Sequence, residues 1–279
     1  MKRGSNILIV GGPNSGKTHF GGQLYLRLRS DECKYKITSL PEDLTVFQEV
    51  VDCLYNGRSA ERTDSNLHKN LLLEICDENN DKISLSFPDY AGEQVRKIVN
   101  NRLVNELWKN QILSSNSWML FIRLDEVKKI EDIVNRPLPE ELNTAKRENY
   151  ALEISANAFF VELLQMLLFI KQVSNMQAII TPKLMVVLSC WDTLNLDDGT
   201  IPAMVLKEKL PLFYEFTSNI WNEKNLNIVG LSSTGKTLSN KKSDDDYINN
   251  SPEDFGYFIL TDGRKEKDLT ILIDKTIGK

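Results

Sequence analysis

Ile7-Leu8-Ile9-Val10-Gly11-Gly12-Pro13-Asn14-Ser15-Gly16-Lys17-Thr18 leaves little freedom in how the N-terminal part of this chain folds. Four consecutive apolar residues make a buried strand. His19 to Arg29, with Phe20, Leu24 and Leu28 four residues apart, makes a helix directly after it. Between them, the spacing G-x-x-x-x-G-K-[ST] is that of a phosphate-binding loop, or P-loop. Glycines let the backbone curl until successive N–H groups converge on an anion, and the helix N-terminus adds its positive dipole end. Lys17 would reach the β- and γ-phosphates of a nucleotide, and the Thr18 hydroxyl would coordinate Mg²⁺.

The same spacing recurs at Gly230-Leu231-Ser232-Ser233-Thr234-Gly235-Lys236-Thr237, after the strand-like Leu226 to Val229. Leu238 to Asp246, directly after it, is a polar run without an apolar stripe. No helix begins there to aim a dipole at phosphate, so this second match is expected to be a loop with another role.

With 279 residues the chain has room for one large domain or two small ones, and 41% hydrophobic against 26% charged residues suits a soluble globular protein. A net charge of −5 speaks against nonspecific nucleic-acid binding. The longest apolar stretch, Ala158 to Ile170, is interrupted by Glu162 and Gln165 and is too short for a membrane span. Lys2 and Arg3 lead straight into a strand with no signal-peptide anatomy, so a cytoplasmic protein is expected. Cys33, Cys53, Cys76 and Cys190 lack metal or redox spacing and are expected to be reduced thiols.

Further along, Leu44, Phe47, Val51 and Leu54 put a helix over 41–56. Leu71–Cys76 and Ile83–Phe87 form an antiparallel hairpin around an Asp- and Asn-rich turn. A helix is expected over 93–112, with Val95, Val99, Leu103 and Leu107 in one i+4 row, then a strand over 118–124. Residues 125–180 read as a helical insertion, with a long helix over about 145–175 that is apolar on most faces. A strand at 184–188, a helix over 203–221 and a strand at 226–229 complete the central part. The tail from about 240 to 279 holds a short hairpin around Asp262-Gly263. Strands separated by helices make this an α/β chain with a mostly parallel sheet and one antiparallel strand at its edge. We expect a single domain over 1–279.

Three later segments add chemistry. Phe87-Pro88-Asp89-Tyr90-Ala91-Gly92-Glu93 places D-x-x-G at the end of a strand, where Asp89 could hold Mg²⁺ and Gly92 could meet the γ-phosphate; an ordinary turn is the alternative. Val186 to Asp192 ends another strand in a carboxylate, which can accept the N1–H and exocyclic amine of guanine. Ser232, Ser233 and Thr234 end the last strand, where backbone N–H groups could meet the guanine O6.

This order of motifs resembles the Ras-like GTPases of the TRAFAC class. The tail, from Pro252 to Tyr257 through Asp262-Gly263 to Asp268-Leu269-Thr270, resembles the bacterial double-GTPase families of conflict systems. The resemblance implies a three-layer P-loop NTPase fold with a six-stranded sheet, GTP or GDP with Mg²⁺, and signalling through two switch loops to a protein effector or associated system component. It implies a nucleotide-binding set of Gly11, Pro13, Asn14, Ser15, Gly16, Lys17, Thr18, His19, Gly92, Cys190, Trp191, Asp192, Ser232, Ser233 and Thr234. Metal ligands would be Thr18, Thr63 and Asp89. Lys17, Glu93, Gln94 and Arg62 would carry catalysis.

Departures leave alternatives open. The fourth motif, usually [NT]-K-x-D, reads Ser189-Cys190-Trp191-Asp192, which weakens the guanine preference. Trp191 either covers the base or packs on the sheet. Glu93 stands where a glutamine usually orients the attacking water, with Gln94 next; Glu93 is equally an ordinary first-turn helix acid. Thr63 and Thr45 are rivals for closing over the metal. Arg62 or Arg58 is an internal arginine finger or a solvated surface residue. The expectation is a Mg²⁺-dependent GTPase switch, slow without a partner. The alternatives are a nucleotide-binding module with little hydrolysis and an ATP-using P-loop NTPase.

Overall fold

The computed structural model describes residues 4–39, 41, 44–61, 71–88, 92–127, 154–173 and 177–279. In chain order the elements are β1 (Ser5–Gly11), α1 (Lys17–Leu28), β2 (Lys36–Ser39), α2 (Thr45–Tyr55), β3 (Leu71–Cys76), β4 (Lys82–Phe87), α3 (Glu93–Asn101), α4 (Glu106–Ser114) and β5 (Ser117–Arg123). They continue with α5 (Ala156–Lys171), β6 (Lys183–Ser189), α6 (Pro202–Lys209), α7 (Pro211–Ile220), β7 (Leu226–Ser232), α8 (Asp245–Asn249), β8 (Tyr257–Ile259), β9 (Lys265–Glu266) and α9 (Ile271–Ile277).

One sheet takes the order β2-β3-β4-β1-β5-β6-β7-β8-β9. β4, β1, β5, β6 and β7 are parallel, whereas β2, β3, β8 and β9 pair antiparallel. The α/β expectation holds, but the sheet has nine strands, and antiparallel strands lie at both edges rather than one. β2 carries no sequence signal, because Lys36-Ile37-Thr38-Ser39 is short and mostly exposed, with no buried alternation. The tail hairpin forms as expected and adds the other edge, pairing β8 to β7.

Strand alternation sorts the core into two layers. Ile7 and Ile9 of β1 face Phe20 and Leu24 of α1, Phe47 and Leu54 of α2, and Leu272 of α9. Leu8 and Val10 face the other layer, with Val95, Trp108, Leu164, Leu206 and Phe213 from α3 to α7. The chain leaves β4 on one side of β1 and returns as β5 on the other. Such a switch point opens a crevice at the carboxyl ends of the strands, which is where ligands bind in open α/β sheets.

Three expected helices are shorter than their periodicity suggested. The 93–112 stretch breaks into α3 and α4, because Arg102 turns left-handed (φ +53°) and the Asn105 side chain caps a new helix by accepting the Trp108 N–H at 2.9 Å. Val95 and Val99 are therefore buried, whereas Leu103 is 73% exposed. The 203–221 helix is interrupted before Pro211, which has no N–H to continue α6 and instead begins α7. Within the expected 145–175 helix, Ser155 caps α5 by accepting the Ala158 N–H, and Gln172 ends it in a left-handed turn; the residues before 154 lie outside those described. Leu163, Leu164, Leu167 and Leu168 bury α5 against α3, α4 and α7. Among the described residues no helix is long and apolar enough to cross a membrane.

Candidate functional site

At the crevice, β1 ends at Gly11 and α1 begins at Lys17. Asn14 (φ +58°) and Gly16 (φ +81°) take left-handed conformations between them, the alternation that forms an anion-binding nest. Gly11 has no room for a side chain: a Cβ there would lie 2.6 Å from Ser15 Oγ and 2.9 Å from Phe121 Cβ. Lys17 folds back over the loop, and its Nζ donates to the Gly11 carbonyl (2.6 Å), the Gly12 carbonyl (2.9 Å) and Ser15 Oγ (3.2 Å). The ammonium is thus held above the loop that would cradle phosphates.

A cavity of about 300 Å³ runs from this loop to the ends of β6 and β7. Of the expected residues, Asn14, Ser15, Gly16, Lys17, Thr18, His19, Cys190, Asp192, Ser233 and Thr234 line it. The Ser232 hydroxyl, at the buried end of β7, donates to Asp192 Oδ1 at 2.5 Å and fixes the carboxylate; Thr237 Oγ1 lies 3.5 Å from Oδ2. Ser232, Gly11, Pro13 and Gly92 do not line it. Trp191 is a correction to the expected wall. It is buried, and a Cβ on Gly230 would fall 2.4 Å from its indole, so the ring lies on β7. Gly16 approaches Ser189, its Cβ position 3.3 Å from the serine's, which ties the phosphate end of the crevice to the end carrying Asp192.

Gly92, from D-x-x-G, lies against the P-loop. It is left-handed (φ +80°), and a Cβ would come within 2.4 Å of the Gly12 carbonyl carbon and 2.5 Å of Pro13 N. Asp89 lies outside the described residues, as do Arg62 and Thr63. Glu93 and Gln94 open α3, and Gln94 accepts a hydrogen bond from Asn105 Nδ2 at 3.3 Å. Neither lines the cavity. Thr45 begins α2, and neither it nor Arg58 reaches the cavity either.

The wall also contains residues absent from the expected set: Ser59, Ala60, Glu61, Arg123, Thr193, Thr237 and Leu238. Arg123 ends β5, and a charged residue at the carboxyl end of a strand beside β1 is a signal that the switch-point rule could have picked out. Its Nε and Nη2 donate to Asp125 at 2.9 and 3.0 Å, and Nη1 lies 3.2 Å from Glu126 Oε1. These bonds to Asp125, more than any other influence, hold the guanidinium firmly charged. The 59–61 segment carried no such mark. It is placed by two bonds: the Ala60 N–H donates to His19 Nε2 at 3.2 Å, and the Ser59 N–H to the Ser239 carbonyl at 3.1 Å.

Burial, with a smaller contribution from the Arg123 charge, lowers the His19 pKa to about 4, so at neutral pH the imidazole is uncharged and can accept from Ala60. Burial pushes the Cys190 thiol up to about 11, so it stays protonated.

The second G-x-x-x-x-G-K-T match does structural work. Lys236 pairs with Asp244 (2.7 Å) and Asp246 (2.8 Å), and Gly235 turns left-handed against the Phe255 carbonyl. The Tyr247 hydroxyl donates to the Thr234 carbonyl, holding the cavity loop from behind. Among the described residues no cluster of three or more His, Cys, Asp or Glu could cage a metal. A cation at the phosphate end would have the Thr18 hydroxyl among its described protein donors. That suits Mg²⁺, which keeps waters and takes few protein ligands beside substrate phosphates.

The profile of the Double-GTPase 1 family matches residues 8–276. No curated protein matches the chain. Among solved structures, the S. cerevisiae Ski7 GTPase-like domain bound to GTP is similar at 10% identity and TM-score 0.46, covering 84% of this chain and 43% of that one. A bacterial selenocysteine-specific elongation factor is similar at 14% identity and TM-score 0.38, covering 83% and 26%. Sup35 complexed with GDP is similar at 12% identity and TM-score 0.38, covering 85% and 39%. The chain thus spans less than half the length of these solved chains.

Proposed function

The chain belongs to the Double-GTPase 1 family, and from that premise we propose that it binds GTP in the crevice and hydrolyses it to GDP and phosphate, acting as a switch toward a protein partner. The observation that carries the base choice is the Asp192 carboxylate, held by Ser232 at the far end of a cavity whose near end is the P-loop. A fixed carboxylate accepts the paired N–H donors of guanine, whereas adenine offers no such pair.

Catalysis on this frame is positioning and electrostatics. The nest at Asn14–Gly16 and the start of α1 hold phosphate oxygens, and Lys17 moves its ammonium from the loop carbonyls to the β- and γ-phosphates. Thr18, with Asp89 and Thr63, would hold Mg²⁺, which when bound neutralises charge on those phosphates. Two contacts support switching: Gly92 touches the loop backbone, and Ala60 is bonded to His19. The phosphate loop and the helix it opens thus touch both segments.

Calorimetry with GTP, GDP and ATP, beside a phosphate-release assay, tests this. GTP is expected to outcompete ATP, and Lys17→Ala to abolish turnover. Equal affinity for ATP would remove the guanine assignment. A second reading, binding without efficient hydrolysis, is favoured by Glu93 and Gln94 standing off the cavity wall, with Gln94 turned to Asn105. Tight GTP binding with no phosphate release would select it.

A further inference from the structure

Among the described residues, the cavity wall carries two cationic side chains, Lys17 and Arg123. Lys17 belongs to the phosphate loop. Arg123 lies elsewhere: it ends β5, pairs in register with Ser189 of β6, and stands beside Cys190, two residues before Asp192.

The guanidinium's donors are already engaged at its edge. Nε and Nη2 form a fork onto Asp125, and Nη1 reaches Glu126. Two carboxylates bracket one guanidinium, so this corner adds no net positive charge for phosphate. They also hold the group in a fixed plane. A planar cation bonded around its rim keeps its flat faces for ring contact.

We propose that Arg123 is an affinity-determining residue of the nucleotide site, laying its guanidinium face against the purine base while Asp125 and Glu126 hold that plane. This rests on the reading of the crevice as a guanine-nucleotide site. Asp125 and Glu126 are positioning residues in this arrangement, acting through Arg123. In this arrangement Lys17 serves the phosphates, Asp192 the edge of the base, and the Arg123 guanidinium its face.

The test measures GDP and GTP affinity by calorimetry for the unaltered chain, Arg123→Ala and Asp125→Asn, and inorganic pyrophosphate by competition against labelled GDP. Arg123→Ala is expected to weaken GDP and GTP by the same factor, roughly tenfold, as loss of a base stack would. Pyrophosphate, which has no base, keeps its affinity. Asp125→Asn leaves Arg123 in the chain but frees its plane, and weakens GDP by a smaller factor with pyrophosphate again unchanged. Unchanged GDP affinity in both variants would overturn the proposal. So would a parallel loss for pyrophosphate, which would make Arg123 a phosphate ligand. If the unaltered chain fails to bind GDP, the nucleotide reading itself falls, a result seen before any variant is made.

Discussion

Gly92 rests on the backbone of Gly12 so closely that a Cβ would fall 2.4 Å from the Gly12 carbonyl carbon. Two motifs separated by about eighty residues in the chain thus share one van der Waals surface, and no side chain fits between them.

Gly92→Ala is expected to disturb both. The left-handed backbone (φ +80°) alone costs of order 1–3 kcal/mol for a residue with a Cβ, and the clash must push the P-loop or the start of α3 aside. Thermal unfolding should show a lowered midpoint, and phosphate release should fall together with GTP affinity. Unaltered stability and turnover would mean that this contact opens freely.

Ser232→Ala removes the hydroxyl that orients Asp192. A hydrogen bond to a charged acceptor contributes about 1.5–3 kcal/mol, so GTP affinity is expected to drop about tenfold or more. The ratio of GTP to ATP affinity should shrink as well, because a carboxylate free to rotate no longer selects the base. Competition binding reads both.

His19 links the site to pH. Its native pKa of about 4 lies below the 6.5 of an unhindered imidazole, so the native state binds fewer protons than the unfolded chain between those values. The contribution is fully present above pH 6.5 and is lost as pH falls toward 4. Protonation also removes the acceptor used by Ala60. Urea midpoints are expected to fall across this window, less steeply in His19→Gln, and amide exchange at Ala60 should quicken in parallel.

Arg27 of α1 is buried and donates to the Glu253 and Gly256 carbonyls, tying the P-loop helix to the tail. Arg27→Met leaves those carbonyls without their donor and is expected to destabilise the fold by about 2–3 kcal/mol. Gly256 packs on the Ser233 carbonyl, so GTP affinity should weaken a few-fold too. Denaturant unfolding and calorimetry on the same variant separate the two effects.

Local chemistry was legible to differing depths. The helix over 93–112 read as continuous because Val95, Val99, Leu103 and Leu107 keep an i+4 row. Periodicity cannot show that Arg102 turns left-handed, or that Asn105 offers a better cap. The break at Pro211 was open to reading, since a missing N–H is a local fact. β2 left no signal, because an exposed edge strand is held by backbone pairing to β3 rather than by a buried side-chain pattern.

The sequence by itself determined the phosphate end of the crevice. Strand, nest, Lys17 and helix start lie within consecutive residues, and the physics joining them acts between neighbours along the chain. Tertiary structure decided the other end. Arg123, Asp192 and Ala60, with Ser232 behind Asp192, come from four separate segments, and sheet order with two-layer packing, not spacing, brings them together at one cavity. The same packing turned Trp191 onto Gly230, because an indole buried against β7 leaves water while Asp192 beside it keeps its carboxylate toward the cavity.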